Sequence, residues 1–254
     1  MMKKVFLILV LFIVTSVGFG QSQKFFDSPF GGGGGFTPGW SFSKVSSLNS
    51  MLSQVGLPTV ASSGIFTTGG AGFIYIGFVP GLRIGGMGYG GSTSSKGTIT
   101  PIITGSRLVS APYNVETDYS IGGGGLTIEY TLPFIKSMGV SLGAAIGGGS
   151  MTVELYRNGQ NNNWGDIFKS ASGNNDLDES HKTLKNNYWV ISPTLNIDIP
   201  FYRFLCFRVG AGYNFTLGEE WKLDNDQSIA GVPSDFNGHS FYIQAGIFIG
   251  FFSF

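Results

Sequence analysis

From Ser240 to Phe251 the chain places an apolar residue at every second position: Phe241, Ile243, Ala245, Ile247, Ile249 and Phe251 share one face. Tyr242, Gln244, Gly246 and Gly250 share the other, with Phe248 and Phe252 as exceptions. A period of two with one apolar face and one small or polar face predicts a strand between lipid and a lumen. The same alternation sets Trp189, Ile191, Leu195, Ile197 and Ile199 against Tyr188, Ser192, Thr194, Asn196 and Asp198, and it sets Leu205, Phe207, Val209, Ala211, Tyr213 and Phe215 against Cys206, Arg208, Gly210, Gly212, Asn214 and Thr216. Pro193 cannot donate to a ladder and predicts a local bulge or break. Along 138–156 the apolar residues change parity, from Val140, Leu142, Ala144 and Ile146 to Met151, Val153 and Leu155, across Gly147, Gly148 and Gly149. One extra residue would account for that change, so a β-bulge is expected in the glycine run. Gly122 to Gly125 and Gly85–Gly86 sit similarly in their strands.

Seven strands are expected in all, near 72–78, 82–91, 119–134, 138–156, 187–199, 204–216 and 240–252. Tight connections (79–81, 135–137, 200–203) alternate with long polar ones (92–118, 157–186, 217–239), the pattern of periplasmic turns and outer loops. Seven spans cannot put both ends of the mature chain on one side, so something in 21–70 must also cross: an additional strand or a segment threaded through the lumen. Even strand numbers are the rule for bacterial barrels, which gives about eight.

The upstream region reads in three parts. Lys3 and Lys4 ahead of the apolar run Val5 to Val14, with Gly18 and Gly20 before the expected cut, form a secretory signal peptide over 1–20. The run is about half of the ~20 residues a membrane helix needs. Residues 21–64 hold a glycine stretch, Gly31 to Gly35, too poor in side chains for a good strand alone. Val45, Leu48, Met51, Leu52 and Val55 then recur at helical spacing before Gly56 and Pro58, which predicts a short amphipathic helix capped by Ser43. It would serve as a lumen plug, a membrane-surface helix or a helix on the barrel rim; with only Lys44 as a base, binding to anionic lipid is disfavoured. Residues 65–254 form the expected barrel.

Composition adds little chemistry. With 41 glycines, 15% aromatic and 12% charged residues, the chain suits a barrel with aromatic girdles better than a soluble cytosolic domain. Its formal net charge of zero leaves no basic surface for nucleic acid. Cys206 is the single cysteine and reads as a small buried strand residue. Asp198, Arg208, Glu129 and Arg83 all point inward near the tight turns and form an expected lumen ion network, because an eight-stranded interior is only wide enough for side chains. His181 and His239 sit beside Ser180 and Ser240, but neighbours on a strand face opposite ways, which disfavours a hydrolytic pair. The acidic runs Asp176, Asp178 and Asp224, Asp226 lack the pattern of a calcium loop. No catalytic residue, metal or cofactor is expected.

These features resemble the small outer-membrane β-barrel proteins of Gram-negative-type bacteria. The segments Gly31-Gly-Gly-Gly-Gly-Phe36-Thr-Pro-Gly, Leu82-Arg-Ile-Gly-Gly-Met87, Gly210-Ala-Gly-Tyr213 and Gly246-Ile-Phe-Ile-Gly-Phe-Phe252 are similar to an uncharacterised group of them. The resemblance implies outer-membrane lipid and the barrel-assembly machinery as partners, with Phe248, Phe252 and Phe254 matching the terminal assembly signal. The expected fold is thus an all-β antiparallel transmembrane barrel with a short N-terminal helix. The expected role is non-enzymatic, structural or in surface interaction through outer loops, where Trp164, Phe168, Trp221 and Phe236 are candidate contacts for a ligand the sequence does not identify, with packing against one another or marking of the membrane boundary as the favoured reading of the same aromatics. A narrow pore is the alternative and a lipid-modifying enzyme the third reading; a secreted β-sandwich is the structural rival.

Overall fold

The computed structural model describes residues 31–99, 112–133, 138–158 and 180–252. Among the described residues ten strands, β1 (Gly32–Phe36), β2 (Gly39–Ser43), β3 (Ile65–Tyr75), β4 (Leu82–Ile99), β5 (Tyr113–Thr131), β6 (Gly139–Asn158), β7 (Ser180–Tyr202), β8 (Leu205–Leu223), β9 (Gln227–Ser228) and β10 (Ser240–Phe251), accompany one helix, α1 (Ser46–Gln54). Each strand from β3 to β8 pairs antiparallel with the next, and β8 pairs with β10. β1 and β2 share one unbroken register with β10 on one side and β3 on the other, so they are two halves of a single stave, parted where Pro38 has no N–H to give. The ring therefore closes on eight staves.

Following the paired residues from Gly31, whose carbonyl accepts the Tyr75 N–H, round the ring returns to the first stave at Ser41. That stagger of ten residues in eight strands tilts them by roughly 40° from the barrel axis. Neither edge of the sheet is left open in the membrane, as a spanning sheet requires.

The glycine stretch is the missing crossing. Placed outside a barrel starting at Ile65 and read as too poor in side chains for a good strand alone, it forms β1, the additional strand that parity required within 21–70, held by ladders on both sides. Side-chain propensity misjudged it because closure here depends on backbone pairing and close approach: a Cβ on Gly35 would lie 2.1 Å from the Ile247 carbonyl oxygen. The parity of the chain is thereby satisfied by an eighth stave.

Three further expectations are corrected. The register of β6 runs without a shift through Gly147 to Gly149, as does that of β5 through Gly122 to Gly125 and of β4 through Gly85–Gly86. Odd residues of β6 face inward along its whole length; what changes at the glycines is the chemistry of each face. Ser141, Gly143 and Ala145 point in below, while Met151 and Val153 point in above and Thr152 and Glu154 point out. Pro193 causes no slip either, since Ile191↔Phe215 and Thr194↔Gly212 share one register. The β7–β8 ladder shifts instead next to its tight turn, between Pro200 and Tyr202, and higher up, between Asn187 and Trp189, opposite Gly218, whose φ of +69° permits the extra residue and turns Trp221 inward. Finally, α1 is capped by Val45 rather than Ser43, which ends β2, and no side chain caps it.

The strands of the expected long loops continue well into them: β4 reaches Ile99, β5 begins at Tyr113 and β7 at Ser180. The signal peptide lies outside the described residues.

Candidate functional site

The outer wall carries two rings of exposed aromatics. Phe78, Tyr130, Phe201, Tyr202, Phe204 and Phe251 lie at the tight-turn end, and Trp40, Phe42, Phe66, Trp189, Phe215 and Phe241 at the other. Between them the exposed residues are aliphatic except for Phe36, which pairs with Ile247; among them are Ile74, Ile84, Leu126, Ile128, Leu142, Ile146, Leu195, Val209, Ile243 and Ile247. From Trp189 to Phe201 along β7 the tilted strand climbs roughly 30 Å at about 3.3 Å per residue, the depth of a bilayer's hydrocarbon core. A closed barrel with bare hydrocarbon outside and its polar side chains inside can only be solvated by lipid. The chain is a small β-barrel of the outer-membrane type.

No family model matches the barrel, and no curated protein does. Among solved structures it is similar to the attachment invasion locus protein Ail of Yersinia pestis, solved with the heparin analogue sucrose octasulfate (6% identity, 87% of this chain and 99% of that one, TM-score 0.41). It is also similar to Neisserial surface protein A (10% identity, 87% and 97%, TM-score 0.40) and to a major outer membrane protein from Thermus thermophilus (10% identity, 87% and 99%, TM-score 0.44).

The lumen is stacked in layers. At the tight-turn end Phe73, Tyr75, Cys206, Phe248 and Phe252 make an aromatic floor, with Phe248 and Phe252 fully buried. These two rings, expected as part of an assembly signal, thus face the lumen and not the lipid; Phe254 lies outside the described residues. Alternation puts them there because β10 holds its phase to Phe252, with even residues inward.

Above the floor the four expected charges meet. Arg208 Nε lies 2.6 Å from Asp198 Oδ1 and its Nη2 3.0 Å from Oδ2, while Nη1 donates to Glu129 Oε1 at 3.1 Å. Arg83 Nη1 donates to Asp198 Oδ2 at 2.6 Å and its Nη2 is 3.2 Å from Glu129 Oε2. All four are at most 5% exposed. Two cations against two carboxylates leave the layer formally neutral. The guanidinium of Arg208 lies 4.6 Å from the Phe73 and Phe248 ring centres, and that of Arg83 4.4 Å from Phe73, so the floor and the charges brace each other. Asn196 and Ser141 complete the carboxylate shell of Glu129.

The next layer is built on tyrosine over glycine. The Tyr242 ring occupies the space a Cβ on Gly212 would need, at 2.5 Å, and Tyr188 does the same at Gly149. Tyr89 and Tyr242 stack at 6.3 Å, Asn214 Nδ2 donates to Tyr89 Oη at 3.0 Å, and the Ser192 and Tyr242 hydroxyls are 3.3 Å apart. A cavity lined by Met87, Tyr89, Val190, Ser192 and Asn214 measures about 10 Å³, room for one water at most.

The outer mouth is closed by apolar packing. Tyr119, Ile121, Met151, Val153, Tyr188 and Val190 from the strands meet Val45 and Val60 from the segment around α1, with Leu48 against them. The helix is therefore a lid on the outer end of the lumen. Asn49 holds the lid's return, donating to the Val60 carbonyl at 2.9 Å and accepting its N–H at 2.9 Å; Ser47 hydrogen-bonds Asp235. Trp221 and Phe236, candidates for surface contact, are instead buried here, stacked at 5.0 Å. Trp164 and Phe168 lie outside the described residues.

Beyond the upper girdle β4 to β8 rise roughly 20 Å further, about nine residues each, while β2, β3 and β10 end near it. This raised sheet turns its apolar face to the lid and its polar face outward. On that outer face Glu116 bonds Ser94 and Lys96 (2.7 and 3.2 Å), and Tyr156 donates to Glu154 at 2.5 Å and stacks on His181 at 4.3 Å. Ser94 chiefly, and then Lys96, hold the Glu116 carboxyl below its ordinary range; Glu154 pushes the Tyr156 hydroxyl up to about 12. Asp224, in the β8–β9 turn with a φ of 44°, accepts the Thr183 N–H and pairs with Lys182, both at 2.9 Å, which lowers its pKa.

Neither histidine meets its neighbouring serine. His239 Nδ1 accepts the Thr216 N–H at 2.9 Å, while Ser240 turns into the lumen to Asn214. His181 contacts Thr183 and Tyr156. Among the described residues no group of three or more His, Cys, Asp or Glu could hold a metal.

Proposed function

We propose that the barrel is a non-enzymatic anchor that presents its raised outer sheet to partners outside the cell. The observation that carries this reading is the contrast between the two ends of one set of strands. Within the membrane the lumen is occupied by an aromatic floor, a neutral ion network and tyrosines packed on glycines, and just above it an apolar lid closes the mouth. A solute path would need all four to move. Outside the membrane five strands continue well past the depth needed to cross it, and that length serves no membrane purpose. Outer loops on a rigid scaffold are where binding residues concentrate.

The test is adhesion. Bacteria displaying the barrel should adhere to a protein-coated surface more than cells without it. A variant whose β4–β8 extensions are cut back to the girdle should assemble normally and lose that gain. Equal adhesion by the two would overturn the proposal.

A further inference from the structure

The raised sheet has an unpaired edge. β3 pairs with β4 only as far as Thr68↔Gly90, and β3 itself begins at Ile65, whereas β4 runs on to Ile99. On its other side β4 stays paired with β5 to the end, at Ile99↔Tyr113. Hydrogen-bond parity fixes which residues face the gap. Ile76 N–H donates to the Leu82 carbonyl on the β3 side and Thr131 N–H to the Gly81 carbonyl on the β5 side. Even residues of β4 therefore bond toward β3 and odd residues toward β5. Ser94, Lys96 and Thr98 lie past the end of β3, so their N–H and C=O groups point away from the sheet. All three are exposed, and among the described residues no backbone hydrogen bond joins 57–64 to them.

We propose that this edge binds an extended polypeptide segment of a soluble partner by β-strand addition. A row of donors and acceptors repeating every second residue is matched by another extended backbone and by little else. The edge carries hydroxyls, a glycine and one cation, with no proline between Ser92 and Ile99 to block a new ladder. A second copy of the barrel does not fit. Two barrels inserted in the same sense and tilted by roughly 40° would cross their β4 edges near a right angle, which permits neither parallel nor antiparallel pairing. The proposal rests on the surface-interaction reading and names the contact through which it works.

The probe is a synthetic peptide of residues 113–121, the upper part of β5, which already pairs with β4 on its other side. With the full barrel in lipid nanodiscs, hydrogen exchange should find the amides of Ser94, Lys96 and Thr98 fast and those of Ser95 and Gly97 slow. The labelled peptide should bind saturably and slow the three fast amides. Lys96→Pro removes an edge N–H without touching the β5 ladder, and it should weaken binding at least tenfold, whereas Lys96→Ala should leave it nearly unchanged. Slow exchange at all three amides in the free protein, no peptide binding, or binding indifferent to Lys96→Pro would overturn the proposal. Adhesion that survives Lys96→Pro would overturn the edge alone; adhesion that never depended on the raised sheet would overturn the underlying reading.

Discussion

Arg208 and Asp198 face each other across the β7–β8 hairpin as direct register partners, joined by two parallel hydrogen bonds of 2.6 and 3.0 Å inside the lumen. Removing one partner strands a charge where water does not reach. Arg208→Ala or Asp198→Ala should each cost about 3–5 kcal/mol in a urea unfolding series in lipid. Because both carboxylates are shared by both arginines, the Arg83→Ala and Arg208→Ala losses should be non-additive. Additive losses would mean that the four side chains do not act as one layer.

Tyr242 over Gly212 is a packing joint. A methyl at Gly212 must displace the ring, so Gly212→Ala should destabilise by about 1–3 kcal/mol. In a Tyr242→Ala background the same change should cost far less. An undiminished cost there would place the origin in the backbone.

Membrane depth can be read from tryptophan. Single-Trp variants retaining Trp189 or Trp40 should be quenched strongly by lipids brominated on their acyl chains near the interface, while one retaining Trp221 should be nearly unaffected. Quenching of Trp221 equal to that of Trp189 would contradict the inward turn at the Gly218 bulge.

Asp224 ties the β8–β9 turn to Thr183. Its folded pKa is lowered, so the stabilisation it provides is present above the unfolded carboxylate value near 4 and is lost as pH falls through the lower folded value. Exchange at the Thr183 amide should therefore accelerate at acid pH once the intrinsic pH dependence is divided out, and Asp224→Asn should flatten that response. A turn equally protected across the range would show that the carboxylate is not what holds it.

The strands with side chains on both faces were legible because burial follows parity: the inward set Ser192, Thr194, Asn196 and Asp198 emerges from alternation alone, and so do the four charges of the lumen layer. That a further strand crosses within 21–70 followed from the parity of the turns, but its place at β1 was not legible, since glycine carries no face to alternate. The change of parity at Gly147 to Gly149 was visible but misread. Apolar residues face lipid below the girdle and the lid above it, so the chemistry switches sides while the backbone keeps its phase. Packing of Trp221 and Phe236 against one another was open in the sequence beside surface contact; what a sequence gives no sign of is the bulge at Gly218 that turns one strand end inward.

Single-channel recording reports whether the lumen is filled. Folded barrel, shown to be inserted by its heat-modifiable gel mobility, should pass no discrete current steps in a planar bilayer, in the wild type and in Asp198→Asn alike. Regular steps from the wild-type protein would mean that the layers part to leave a continuous aqueous path and that the lumen is not filled.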